Sequence, residues 1–174
     1  MLEFARLALN FAKAKNQNEV FLFASGEGAI PCTMLAKDQP ERIMGVVYEE
    51  PMIEYEVRRG LSKRKEDRFL DMIRDLDSTN IFVFHGMSGT KIPFTNAKSI
   101  IHSAFRREGE LGTFREEKSN GGAVHSVTRS PSPTGGEVER VVEHYFVDCE
   151  NYKIREIKRA KLFEILRNFV DEVT

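Results

Sequence analysis

The chain has 174 residues, of which 41% are hydrophobic and 30% are charged, and its formal net charge is −1. This length suits a single domain with a substantial core, over residues 1–174. The near-neutral charge argues against a protein that wraps nucleic acid or binds membranes through basic residues. No apolar run approaches the roughly 20 residues of a membrane-spanning helix. Cys32 and Cys149 form no CxxC pair, which favours reduced thiols and a cytoplasmic location.

Helical and strand patterns alternate in the first part of the chain. A helix is predicted over 2–15 because apolar residues recur there at intervals of three and four, at Phe4, Leu7, Ala8 and Phe11. Continuous apolar runs at 20–24 and 42–48 predict strands covered on both faces. Pro31 is expected in the first turn of a helix between them. Residues 52–57 alternate weakly and are compatible with an edge strand.

The same alternation continues to residue 105. Helical spacing of apolar residues predicts helices over 63–76 and 97–105, and the apolar run at 81–84 predicts a third buried strand between them. Strands that alternate with helices in this way are typical of a largely parallel sheet with helices on its faces.

Composition changes after residue 107. A polar segment rich in Gly, Ser and Pro spans 108–136, too long for a passive connection, so we expect a functional lid or disorder. Two strand-like stretches, 138–148 and 151–159, then predict an antiparallel hairpin, and 160–172 predicts a final helix. The predicted fold class is therefore α/β, with a mostly parallel central sheet flanked by helices and a C-terminal antiparallel hairpin and helix.

The loop that follows the third predicted strand, HGMSGTK at 85–91, is the strongest functional signal. Its spacing does not match the P-loop pattern, so a standard P-loop is rejected. Glycines still allow a ligand to approach the backbone, and a loop that leads into a helix can present N–H groups to an anion. We expect an anion to be bound by the loop residues Gly86, Ser88, Gly89, Thr90 and Lys91.

A second glycine-containing turn follows the first predicted strand, at Ser25, Gly26 and Gly28. If the two strands are parallel neighbours, both turns open on the carboxyl edge of the sheet, where open α/β sheets bind ligands. The long polar segment could then close over this edge, with Arg129 or Arg115 completing an anion clamp together with Lys91. Acid–base chemistry is assigned to His85 or His125.

The first functional hypothesis is a domain that binds a phosphorylated small molecule or nucleotide, with or without catalysis on it. The second is a non-catalytic protein-interaction or dimerisation domain whose apolar helices contact a partner or another copy of the chain. The third is a magnesium-dependent nuclease that uses Glu156 and Lys158 from one strand. Against the third, Asp148 would lie roughly 10 Å along the strand from Glu156. Neither a membrane nor a nucleic acid is an expected partner, and no particular cofactor is indicated.

Overall fold

The computed structural model describes residues 19–53, 64–76, 79–105, 117–119, 122–130 and 140–174, together with seven positions between 6 and 15. Residues 54–57 of the predicted edge strand, much of the polar segment and Arg115 lie outside the described residues. Among the described helices, none is both long and apolar enough to cross a membrane.

Six strands form a single sheet: β1 (Val20–Ser25), β2 (Ile43–Glu49), β3 (Asn80–Gly86), β4 (Glu117–Ser119), β5 (Ala123–Ser130) and β6 (Arg140–Val147). Their spatial order is β1-β2-β3-β6-β5-β4. The pairs β1–β2, β2–β3 and β3–β6 are parallel, whereas β5 pairs antiparallel with both β6 and β4. The mostly parallel sheet expected from the continuous apolar runs is confirmed.

Beyond the N-terminal segment, the described residues form the helices α1 (Ala29–Asp38), α2 (Arg64–Arg74), α3 (Phe94–Ala104), α4 (Ile154–Ile157) and α5 (Arg159–Val173). A short 3₁₀ turn, Gly26–Gly28, joins β1 to α1. Because β1, β2 and β3 follow one another in both chain order and space, right-handed crossovers place their connecting helices on the same side. Accordingly α1, α2 and α3 pack on one side, here called the first face, and α5 packs on the other, the second face.

The core has two layers because side chains alternate between the two faces of each strand. Tyr48, Ile81 and Ile100 belong to the cluster on the first face. Aromatic residues dominate the second face, where the ring of Phe169 lies 5.5 Å from that of Phe82 and 6.1 Å from that of Phe21. The α5 helix therefore covers an aromatic surface of the central strands.

The C-terminal antiparallel pair lies elsewhere than predicted. The strand around residues 140–147 pairs with β5 and β3, and the stretch predicted as the second hairpin strand forms α4 instead. All eight residues of β6 are buried, as a strand in the middle of a covered sheet requires. After it, Ile154 and Ile157 are spaced for a helix rather than a strand.

The N-terminal helix also differs in detail. The described positions between 6 and 14 are helical, but Leu7, predicted to be buried, is 64% exposed, whereas Leu9 is 3% exposed. At these two described positions, burial therefore differs from what the apolar spacing indicated.

Candidate functional site

The two glycine-containing turns lie at the same edge of the sheet, but they are not adjacent. Ser25 ends β1 and Gly86 ends β3, and β2 lies between these strands. Two strand spacings separate the turns by about 10 Å. The chain that leaves β2 fills this gap, and the N–H of Met52 donates to the carbonyl oxygen of Gly26 at 3.0 Å.

Glu50 occupies the centre of this carboxyl edge. It directly follows β2, is 1% exposed and has a left-handed φ of 45°. Its carboxylate accepts hydrogen bonds from the backbone N–H of Gly86 (2.8 Å), from the backbone N–H of Tyr152 (3.1 Å) and from the side-chain amide of Asn151 (2.5 Å). One buried carboxylate therefore joins the segments that follow β2, β3 and β6.

Asn151 extends the network from Glu50 to the later part of the loop after β3. Its side-chain oxygen accepts from the backbone N–H groups of Lys91 and Ile92, both at 3.0 Å, and its side-chain nitrogen also donates to the Ile92 carbonyl at 3.1 Å. A Cβ atom at Gly89 would overlap this carboxamide. Glycine at 89 is thus required by close packing against Asn151.

Three of the five N–H groups in the backbone cradle predicted for residues 86–90 are donated within the protein. Gly86 donates to Glu50, Met87 to the carbonyl of Val147 at 2.8 Å, and Ser88 to the carbonyl of Cys149 at 3.1 Å. The Ser88 hydroxyl donates to Asp148. Thr90 and Lys91 remain at the exposed surface of the loop.

His85 is enclosed rather than presented to a ligand at this edge. It is fully buried on the first face, where its Nδ1 lies 2.7 Å from the Gly86 carbonyl oxygen and 3.3 Å from the Glu50 carboxylate. Burial lowers the pKa of His85, against the raising effect of the Glu50 charge. Its Nε2 is buried and has no hydrogen-bond partner among the described residues.

The other predicted acid–base residue, His125, lies two strands away from β3, and the predicted clamp residue Arg129 lies toward the opposite edge of the sheet. His125 is on the second face of β5, where its Nε2 lies 2.5 Å from a Glu143 carboxylate oxygen. Burial raises the pKa of Glu143, although its contact with His125 opposes the rise. Arg129 is in register with Val141, near the start of β6, and donates to Glu172 of α5. The proposed clamp of Arg129 with Lys91 is therefore wrong, since they lie at opposite edges of the sheet.

The nuclease arrangement is also wrong. Glu156 lies in α4 and Lys158 follows that helix, so they do not share a strand face. The Glu156 carboxylate instead accepts from Lys153 at 3.0 Å. Within the described part of the chain, no group of three or more His, Cys, Asp or Glu residues is arranged to hold a metal ion.

A cavity of about 360 Å³ opens on the first face, between α3 and the strands β5 and β6, and we call it the α3 cavity. Its described lining consists of Met87, Phe94, Lys98, Ile101, His102, Val124, His144 and Phe146. A second cavity, of about 560 Å³, lies between α1 and α2 and includes the Lys37–Asp75 ion pair in its wall.

Sequence reasoning missed both the Glu50–Asn151 network and the α3 cavity. The adjacent acids Glu49 and Glu50 at the end of a buried strand were a usable signal for the network. Lys98 and His102, four residues apart in a predicted helix, were a signal for a polar side of α3.

Comparison with known proteins places the fold but not the activity. No model of a known protein family matches the chain, and no curated protein matches it. Among the solved structures that resemble it is the esterase domain of a Rhodothermus marinus protein, with a TM-score of 0.51 and 16% sequence identity over 63% of this chain and 54% of that one. Another is MGS-MChE2, an alpha/beta hydrolase enzyme from the metagenome of sediments from the lagoon of Mar Chica, Morocco. Its TM-score is 0.57, with 15% sequence identity over 98% of this chain and 69% of that one. The chain thus spans about half of the esterase domain. These likenesses show a shared α/β fold, with a mostly parallel sheet flanked by helices.

Proposed function

We propose that this chain is a non-catalytic binding domain built on an α/β-hydrolase-like fold. The proposal follows the second of the sequence-based hypotheses, a domain that acts by binding, and it rests on the turn between β1 and α1. In α/β hydrolases the nucleophile stands on a strained strand-to-helix turn of pattern G-x-S-x-G, and the catalytic acid and histidine follow later in the chain.

The turn after β1 resembles such an elbow in one respect, because it joins a strand to a helix through a residue with a left-handed φ. That residue carries no nucleophile. In the five-residue frame that begins at Ala24, the central position is Gly26, with a left-handed φ of 54°. A Cβ atom at this glycine would stand 2.9 Å from the hydroxyl of Tyr152. If this turn corresponds to the elbow of a hydrolase, the position of the serine has no side chain, and the hydroxyl of Tyr152 lies beside it. This observation carries the proposal.

The hydroxyl of Ser25, next to Gly26 in the chain, does not substitute for the missing nucleophile. Ala24 packs on the first face, so its neighbour Ser25 projects toward the second. His85 lies on the first face and is enclosed there. A serine must be within hydrogen-bond reach of its base, and these two side chains leave the sheet in opposite directions.

The phosphate-binding hypothesis has less support. Its cradle would need the N–H groups of Gly86, Met87 and Ser88, which are already donated internally. A thermal-shift screen with inorganic phosphate and nucleotides tests it, because a ligand that binds the native state raises the melting temperature. We expect no shift. A shift that Lys91→Gln abolishes and Lys158→Gln leaves intact would restore that hypothesis.

Catalytic competence is tested directly with p-nitrophenyl acetate and a fluorophosphonate probe that labels activated serines. We expect hydrolysis at the buffer rate and no labelling. Ser25→Ala and Ser88→Ala are the matched controls, since these serines lie in the two turns at the carboxyl edge. Labelling or turnover that either substitution removes would show an active hydrolase and overturn the proposal.

A further inference from the structure

We propose that the α3 cavity binds a small aromatic carboxylate, with its ring beside Phe94, His144 and Phe146 and its carboxylate at Lys98. This goes beyond the function proposed above, and it holds whether or not the carboxyl edge is catalytic.

The inner wall of the cavity is aromatic and ordered by ring contacts. Phe94 and Phe146 meet edge to face with centroids 4.7 Å apart, and His144 stacks on Phe146 at 4.3 Å with an interplanar angle of 21°. Ile101 and Val124 add aliphatic surface. Planar rings bind such walls through offset and edge contacts. The cavity volume, about 360 Å³, lies within the range of roughly 300–1,000 Å³ that small-molecule sites occupy.

The mouth of the cavity carries basic side chains. Lys98 and His102 are four residues apart on α3, both are exposed, and both line the cavity. The Lys98 ammonium lies 4.7 Å from the centroid of the Phe94 ring, which holds it over the entrance. None of the described lining residues is acidic. A ligand carboxylate at this mouth would therefore meet a positioned cation, and charge-assisted hydrogen bonds of this kind are strong.

A polar group without a described partner lies on the same face of β5 as the cavity-lining residue Val124. The Ser126 hydroxyl is buried and makes no hydrogen bond to any described residue, and Ser126 is 3% exposed. Ser126 is in register with His144 and two residues from Val124, so its side chain shares the face on which the cavity opens. A buried hydroxyl without a partner costs free energy, which a ligand group could recover. A hydroxyl para to the carboxylate is the group we expect to do so.

The ligand series tests each part of the cavity separately. Isothermal titration of the chain with 4-hydroxybenzoate, benzoate and 4-hydroxybenzamide should rank them in that order. We expect the neutral amide to bind at least about tenfold more weakly than 4-hydroxybenzoate, because it loses the charged contact with Lys98. NMR chemical-shift changes should localise to Phe94, His144 and Phe146.

Substitutions at two exposed lysines test whether Lys98 is the cation that binds the ligand carboxylate. Lys98→Gln should weaken 4-hydroxybenzoate binding by about five- to tenfold and leave 4-hydroxybenzamide binding unchanged. Lys91→Gln is the matched control, because Lys91 is exposed on the loop after β3 and does not line the cavity. Ser126→Ala should remove the advantage of 4-hydroxybenzoate over benzoate.

The proposal is overturned if no ligand in the series binds, if acid and amide bind equally, or if Lys91→Gln weakens binding as much as Lys98→Gln. It is also overturned if the shift changes fall outside the cavity lining. Ester hydrolysis measured on the same samples is a separate readout, so failure of this inference and failure of the non-catalytic proposal are distinguishable.

Discussion

At the scale of single residues, the carboxyl edge is held by a few polar side chains that reach across several strands. Glu50 and Asn151 are 101 positions apart in the chain, yet their side chains form a direct hydrogen bond. Both side chains also accept hydrogen bonds from backbone N–H groups at the end of β3 and in the loop after it. Buried polar groups in a network of this kind are costly to leave without partners. Substitutions there should be felt more strongly than their surface counterparts.

Replacing Glu50 removes the acceptor for three described donors, from Gly86, Asn151 and Tyr152. We expect Glu50→Ala to lower the free energy of unfolding by about 3–5 kcal/mol, as when one member of a buried charged network is removed. Urea denaturation measures this change. Glu41→Ala, at an exposed position, is the control and should change stability by less than about 0.5 kcal/mol. Equal effects would show that the network contributes no special stability.

Two glycines near the carboxyl edge give a second paired test. Gly89→Ala would force a methyl group into the carboxamide of Asn151, which its hydrogen bonds hold in place, so we expect a loss of about 2–3 kcal/mol. Gly28 has no atom within 4 Å of an added Cβ and a φ of −65°, so Gly28→Ala should be neutral or stabilising by about 0.5 kcal/mol. Melting temperatures of the two variants compare them. A tolerated Gly89→Ala would contradict the packing described here.

At the scale of secondary-structure elements, the hydrophobic periodicity predicted which segments form the first three strands, but it did not predict which strands pair with β6. The apolar runs now seen as β1, β2 and β3 were recognisable because a strand covered on both faces needs continuous apolar residues. The neighbours of β6 were not recognisable, since chain proximity favours the next segment and the sheet instead selects β3 and β5. The acids at the end of β2 signalled a polar site, but the bond from Asn151 to Glu50 could not be predicted, because it depends on the non-local pairing of β6 with β3.

The packing of α5 provides a test at this scale. Phe169 is fully buried against the rings of Phe21 and Phe82, whereas Phe163 of the same helix is 58% exposed. Phe169→Ala should lower the free energy of unfolding by about 3–5 kcal/mol through lost burial and the cavity left behind. Phe163→Ala should cost well under about 1 kcal/mol. If both substitutions cost the same in urea denaturation, α5 does not pack as described.

At the scale of the whole molecule, buried His144 makes stability depend on pH. Burial, with a smaller effect from the His125 charge, lowers the pKa of His144 from 6.5 to about 4. The imidazole of His144 is therefore protonated at a lower pH in the native state than in the unfolded state. Stability from this group is complete above pH 6.5 and is lost as the pH falls toward 4. Lys98 and His102 also face it across the α3 cavity.

A fall in the pKa of His144 from 6.5 to about 4 corresponds to roughly 3 kcal/mol of stability. We expect the free energy of unfolding to fall by about that amount between pH 7 and pH 4 through His144 alone. His144→Phe keeps a ring for stacking on Phe146 and removes the titrating group, so its loss over the same interval should be smaller by about 3 kcal/mol. Parallel pH dependences for the two proteins would show that His144 does not carry the effect.

The position of β6 in the sheet has a consequence for biosynthesis. The strands β1, β2 and β3 on one side, and β4 and β5 on the other, are joined only where β6 runs between them. During translation every one of those five strands emerges before the strand that unites them. Until then β3 and β5 each present an unpaired edge, and such edges invite association with other chains. A ribosome that stalls shortly before residue 140 would thus release a chain with two unpaired strand edges, which chaperones would be expected to bind.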